Sequence, residues 1–556
     1  MNKTNLQKTF EHLSQHSIDS VQTGVRFSDW DEYIHVDRPI ENRLMEQMDE
    51  VDKIGGGIIL LVGSAGDGKS HLISRIKQMS DWADKCFYND ATASYSPRRT
   101  AIDTLKSALT PFNDQNIKTT SNKLVLAINL GKLNAFLEDD EVKESYTEIV
   151  HSASFIFDDE ETNSFTTPNR KIKVIQFSDE QSFELYTSLN QEYPVEAKFF
   201  SSILEKIVYK SSANPFYQAY LQDKASYKNN PLTLNFEILS IPAVRKTICL
   251  TIIEAIIQSK LNITPREFLD FVYSIMVYPF FAEYEERNNF YDALLPTLFY
   301  NGSSNTIQKA ISKLDPLKHS STEHDNLLSV LFTSYSIPKS FLNNEELGYL
   351  PDELISRTNT FYANNGRDIE GTTKFLFRLK HLLSYHSESA VYISYLSLLK
   401  GILSKDTLKM QEIYDMVNKS IPRHYGSYFN KDNMIPLNIQ GGRYRLFAQL
   451  QLKPDMIATN YSELRPSHFR LEFIMKWKFP NDFINLRMDY QLFSYLYELN
   501  RGRLALSYEN EKDLTFNRFV RQLIEKCDCS EEITIVRSDS AELRLTETSF
   551  GNIQLQ

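Results

Sequence analysis

The sequence predicts an α/β core of parallel strands, followed by a helical lid and a helical region, and closed by a C-terminal α+β domain. Three observations lead there. Residues 55–76, GGGIILLVGSAGDGKSHLISRI, run an aliphatic segment, a glycine cluster and a helical pattern in direct succession. Short apolar runs recur downstream as far as Phe177, with helical patterns between the first two of them, and beyond residue 440 the apolar positions change to a period of two. The divisions that follow are 1–54 (N-terminal helical segment), 55–229 (core), 230–310 (lid), 311–439 (helical region) and 440–556 (α+β domain). A chain of this length accommodates about three or four domains.

The core begins with Ile58–Val62, an uncharged aliphatic run that suits a strand buried on both faces. Six of the eighteen glycines in the chain fall between residues 55 and 68. Among them, Gly63-Ser64-Ala65-Gly66-Asp67-Gly68-Lys69-Ser70 fits G-x-x-x-x-G-K-[ST] without a gap, and Leu72, Ile73, Ile76 and Met79 follow at helical spacing. Strand, glycine loop and helix start therefore come in the order a P-loop requires. Residues Gly63 to Ser70, with His71, are the nucleotide-binding candidates: their backbone N–H groups and the positive helix end form an anion-binding nest. Lys69 is expected at the β- and γ-phosphates of ATP, and the Ser70 hydroxyl on Mg²⁺. Asp67 fits such a loop only with its side chain turned away and its N–H facing inward.

Further strands are expected at Cys86–Asn89, Leu124–Ile128 and Ile172–Phe177. Between the last two, Glu138–Glu161 carries ten acids against one lysine and reads as a solvated loop insertion. From Asn230 the pattern turns helical, with Thr264-Pro265 as a helix start, and stays so to about residue 430. In the last region Phe469, Leu471, Phe473, Met475, Trp477 and Phe479 alternate with Arg470, Glu472, Ile474, Lys476 and Lys478, which predicts a half-buried strand with Arg470, Lys476 and Lys478 on one outer face. That basic face suits phosphates or an acidic partner, and equally a solvated strand surface. DYQLFSYLYELNRG reads as a helix capped by Asp489 and stopped by Gly502, and EITIVRSDSAELRLT as a hairpin.

Hydrolysis needs an acid at a strand end to hold Mg²⁺ and a group that positions water. No apolar run followed by Asp-Glu is present. The candidate acids are Asp90, ending CFYND, and Asp179-Glu180, ending VIQFSDE. Asn129, at the end of LVLAIN, is polar where such ATPases sense the γ-phosphate; it also suits a strand cap. Arg266, at the start of a lid helix, resembles the second sensor of AAA+ ATPases and equally suits a surface arginine. The core is thus expected to be AAA+-like.

Composition excludes several classes. With 42% hydrophobic and 24% charged residues the chain reads as an ordinary soluble globular protein. Its start is polar, and the longest uncharged apolar run, FVYSIMVYPFFA, is twelve residues, so no signal peptide or membrane span is expected. Four cysteines point to a reducing cytoplasm. A net charge of −11 leaves any DNA contact to a local patch or a partner. Cys527-Asp528-Cys529 and the histidine pairs (His12/His16, His319/His324, His381/His386) lack further ligands for zinc, and Glu141-Val142-Lys143 has no strand to support a nuclease site.

The stretches YIHVDRPIE, GSAGDGKSHL, YNDATASYSPRRTAIDTL, LAINLGKLNAFL and MDYQLFSYLYELNRG together resemble the DptF family, the ATPase-like component of DNA phosphorothioation-dependent restriction systems. The resemblance spans nearly the whole chain and is strongest in residues 33–136, where NDAT and AINLG are its most specific parts. It implies a bacterial defence protein that acts with DptG-like and DptH-like subunits on DNA lacking phosphorothioate. It also favours Asp90, within NDAT, as the functional acid, although Ala91 follows where a strong hydrolase has glutamate.

Overall fold

All seven residues of strand β1 (Gly57–Gly63) are buried. A strand with no solvent face needs cover on both sides, and two sets of helices supply it. The computed structural model describes residues 3–19, 28–89, 101–157, 169–177, 183–185, 193–226, 230–280, 290–302, 305–319, 322–334, 337, 350, 352–364, 368–424, 434–437, 444–449, 453–455, 466–467, 470–471, 473–479, 482–503, 514–526, 532–537, 542–547 and 553–555. Helices α1 (Asn5–Asp19), α2 (Asp29–Ile34) and α3 (Pro39–Ile54) precede β1, and α4 (Lys69–Met79) follows it. Ile59 and Leu61 turn to one side of the sheet, against Ile40, Leu44, Met48 and Val51 of α3 and Leu72, Ile73 and Ile76 of α4. Ile58, Leu60 and Val62 turn to the other, against helices that come later in the chain. Each such aliphatic side chain contributes about 1.5–3 kcal/mol when fully buried.

The sheet is parallel, in the order β2 (Phe87–Asn89), β3 (Lys123–Asn129), β1, β4 (Ile172–Gln176). Gly63 lies opposite Asn129, Val62 opposite Gln176, and Asn89 opposite Ala127. All three expected downstream strands are therefore present, and their carboxyl ends share one edge.

The expected acidic loop is instead mostly helical as far as Ile156. Helices α5 (Ala101–Leu109), α6 (Leu130–Glu138), α7 (Asp140–Ser145) and α8 (Thr147–Ala153) cover the second face of the sheet. Val142, Tyr146, Ile149 and Ala153 recur every three or four residues and enter that core. The acids between them masked this stripe. They are accommodated at the surface: Asp139 caps α7, and Lys106 pairs with Asp139 at 2.7 Å and Glu141 at 2.6 Å. Residues 158–161 of the stretch lie outside the described residues.

Helices α9 (Lys198–Val208), α10 (Pro215–Ser226), α11 (Pro231–Leu239), α12 (Pro242–Ser259) and α13 (Pro265–Met276) continue the chain. At α13 the expected start is a full capping box: Thr264 accepts from the Glu267 N–H, and Glu267 accepts from the Thr264 N–H. Helices dominate as far as His424. Among the described residues, no helix is long and apolar enough to cross a membrane.

The chain divides into two compact units. The first comprises Met1–Glu184, Ala197–Ala255 and Leu261–His386; the second comprises Leu185–Glu196, Ile256–Lys260 and Ser387–Gln556. The parallel sheet belongs to the first. The second holds the C-terminal antiparallel sheets, among them a three-stranded one ordered Asp482–Met488, Phe473–Phe479, Lys453–Pro454 and a five-stranded one that includes the expected hairpin, Glu532–Arg537 with Glu542–Glu547. Phe473, Met475 and Trp477 are buried, and Trp477 packs on Tyr414 and Phe519 with ring centroids 5.0 and 4.7 Å away. Lys478 is exposed and Lys476 half-buried on the other face, joined there by Arg487, which pairs with Ile474. Arg470 is not on this strand. It belongs to a separate two-residue strand paired with Pro466–Ser467, so the basic face expected from 470 to 478 is not continuous. The sequence keeps its period of two across both strands, and periodicity alone does not mark where a pairing partner changes. The helix Tyr490–Asn500 has its expected cap, Asp489, which accepts from the Leu492 N–H at 2.8 Å.

Candidate functional site

The carboxyl edge of a parallel sheet is where such folds place ligands, and here the glycine loop leaves β1 at that edge. Its conformation depends on Gly66 and Gly68, whose φ values of 92° and 91° lie in the left-handed region. Gly66 has a second constraint. A Cβ there would lie 2.9 Å from Thr264 Oγ1 and 3.5 Å from Arg266 Cβ, so the start of α13 rests directly on the loop. From Gly68 the chain enters α4, with the Leu72 N–H donating to the Gly68 carbonyl at 2.9 Å. The first N–H groups of α4 have no partner within the helix, which favours an anion at this end.

Lys69 is buried, and its Nζ donates to the Ser64 carbonyl at 2.5 Å. Burial lowers its pKa; Asp67 opposes the shift and Arg266 adds to it. The Asp67 carboxylate turns back onto the loop, accepts from the Ser64 N–H, and sits where a Cβ on Gly63 would meet it and Phe177. Burial raises its pKa against the opposing Ser64 hydrogen bond, Lys69 and Arg38, with Glu267 reinforcing the rise. The loop thus satisfies its own acid, and the Asp67 N–H, expected to face inward, lies 3.5 Å from the Ser64 carbonyl. Ala65 is exposed beside it.

The Ser70 hydroxyl accepts from Asn89 Nδ2 at 2.8 Å. This brings the end of β2 to the residue expected to hold Mg²⁺, although the sequence assigned Asn89 no role. The next residue, Asp90, lies outside the described residues, as do Asp179 and Glu180. Asn129 lies beside Gly63 in register, and its Oδ1 accepts from the Gly131 N–H at 2.9 Å, capping α6. That fills the simple structural role and leaves Nδ2 as the end suited to a ligand. Arg266 stands at the loop, close enough to depress the ionisation of Lys69.

His71 reaches away along a different network. Its Nε2 is 2.9 Å from His35 Nδ1, and His35 Nε2 lies 3.2 Å from Asp37 Oδ1 and 3.3 Å from Glu41 Oε2. His35, Asp37 and Glu41 group three metal-type ligand atoms within 4.8 Å. The Arg75 guanidinium already bridges the two carboxylates, at 3.3 Å from Asp37 and 3.4 Å from Glu41.

Sequence reasoning missed Arg38. Its Nη1 donates to the Asp67 carbonyl at 2.7 Å, and its guanidinium stacks over Phe177 and Phe199, with centroids 5.1 and 5.8 Å away. The partner is a backbone oxygen 29 residues on, which no side-chain pattern reveals. Lys69, Arg38 and Arg266 therefore converge on one loop.

On α13, burial raises the pKa of Asp270 from its ordinary 3.8 to about 6, with Arg266 opposing and Glu267 reinforcing the shift. The folded chain then binds this proton more tightly than the unfolded chain, so stability is lost as pH rises from about 4 to about 6. Asp270→Asn is expected to raise the melting temperature at pH 7 and to leave it unchanged at pH 4, as scanning calorimetry would measure.

No protein-family model, curated protein or solved structure matches the chain.

Proposed function

We propose that this chain is an AAA+-like P-loop ATPase that binds Mg·ATP at the glycine loop. It works as a cytoplasmic component of a multi-subunit bacterial defence system that restricts DNA lacking phosphorothioate modification. The observation that carries the nucleotide reading is the convergence of Lys69, Arg38 and Arg266 on a glycine loop at the carboxyl edge of a parallel sheet. Three cations around the N-terminal end of a helix suit a polyphosphate. The loop amides would cradle the α- and β-phosphates and Lys69 would reach the β- and γ-phosphates. Ser70 and Asp90 would hold Mg²⁺, which neutralises charge on the transferred phosphoryl group. Asn129 and Arg266 are the groups available to the γ-phosphate. The restriction role, with DptG-like and DptH-like partners and DNA bound through the complex, rests on the resemblance in residues 33–136 and in the helix after Asp489. Cutting of DNA is assigned to another subunit.

A second reading, a nucleotide-binding scaffold with little turnover that recruits those subunits, is favoured by one contact. Among the described residues it is an amide, Asn89, that meets the Ser70 hydroxyl. ATPase assays on the chain alone, with partners, and with and without DNA separate the two. Under the ATPase reading, Asp90→Asn spares ATP binding and lowers turnover and its Mg²⁺ dependence. The same effect from Asp179→Asn would move the acid to the end of β4. No turnover in the wild type under any of these conditions would leave the scaffold.

A further inference from the structure

Arg38 ends the short segment 35–38, which joins α2 to α3 and meets the glycine loop at the Asp67 carbonyl, and the chain around it is fastened at several points. Tyr33 OH donates to the Lys206 carbonyl at 2.6 Å, and Lys206 Nζ donates to the carbonyls of Tyr33 and His35. His35 contacts His71 on α4. Pro39 then starts α3 directly after Arg38. The guanidinium is therefore delivered to the loop from a held backbone and is steadied by the faces of Phe177 and Phe199. Its Nη1 would also lie 3.3 Å from a Cβ built on Gly68, so it occupies the side of Gly68 that any other residue would fill.

The acceptor is the carbonyl of Asp67, which shares one peptide plane with the N–H of Gly68. In a trans peptide these two groups point in opposite directions. Fixing the carbonyl toward Arg38 fixes the Gly68 N–H on the far side. A left-handed glycine can rotate this peptide at little steric cost, so without the guanidinium the loop is free to present the carbonyl, an electronegative oxygen, to an incoming anion.

We propose that Arg38 is a positioning residue that holds the Asp67–Gly68 peptide with its N–H turned toward the phosphates of a bound nucleoside di- or triphosphate. The inference rests on the nucleotide reading above. Loop amides serve the α- and β-phosphates, whereas Lys69 reaches on to the γ-phosphate. Loss of Arg38 should therefore weaken ADP and ATP alike, and loss of Lys69 should fall more heavily on ATP.

The test is titration of the full chain with ATP and with ADP, in Mg²⁺, for wild type, Arg38→Met, Arg38→Lys and Lys69→Ala. Arg38→Met keeps an aliphatic stem against Phe177 and Phe199 and removes the donor. Its Kd for both nucleotides should rise about three- to tenfold with their ratio unchanged. The melting temperature without nucleotide should stay at the wild-type value, which a merely structural role would not allow. Arg38→Lys, still a charged donor, should recover part of both affinities. Should the methionine variant unfold, Arg38→Gln reads the same two constants. Wild-type affinities in Arg38→Met, a loss confined to ATP, or no recovery by lysine would each overturn the proposal. Failure of the wild type to bind either nucleotide would instead overturn the nucleotide reading, and the proposal with it.

Discussion

Lys69→Ala is expected to weaken ATP binding at least tenfold while the protein stays folded. The side chain supplies a mobile positive charge at the loop, and a charge-assisted contact to phosphate contributes about 1.5–3 kcal/mol, or about ten- to 150-fold in affinity. Folding should survive because the amine's described bond is to one carbonyl, Ser64, within its own loop. The residues that bind α4 to the sheet, Leu72, Ile73 and Ile76, are untouched. Burial already disfavours the charged amine, so its removal takes away a desolvation cost along with the hydrogen bond. ATP titration beside a thermal melt checks both halves. Unchanged affinity in a folded variant would exclude the loop as the nucleotide site.

Trp477→Ala should give the largest loss of stability, about 3–5 kcal/mol, because it empties a large fully buried site. Trp477 is among the largest wholly buried side chains and is packed by Tyr414 and Phe519. Trp477→Phe should cost much less. It refills most of the volume, and the indole N–H has no hydrogen-bond partner among the described residues, so no bond is lost. Scanning calorimetry should find one transition displaced strongly by alanine and weakly by phenylalanine. Equal displacement by both would mean that shape or a polar contact of the indole, rather than buried volume, holds this core.

The features legible in the sequence are those written in consecutive residues. β1, the glycine loop and α4 follow one another without interruption, and the caps at Thr264 and Asp489 sit immediately before the helices they start. Asn129 and Arg266 are legible because a strand end and a helix start are local signals, and both lie at the loop. What the sequence withheld depends on distant pairing. Arg38 meets a carbonyl and Asn89 meets a hydroxyl 19 residues away, and neither contact has a spacing signature. The acidic stretch misled for a different reason: charge dominates its composition, whereas Val142, Tyr146, Ile149 and Ala153 decide its fold. Arg470 and Lys476 share a period of two and lie on different strands, because alternation records burial and not pairing.

Isothermal titration of the wild-type chain with ATP decides whether the glycine loop holds Mg·ATP. Saturable binding to one site per chain is expected, weakened when EDTA removes Mg²⁺. The absence of saturable heat up to millimolar ATP, in protein whose melt shows it folded, would contradict it.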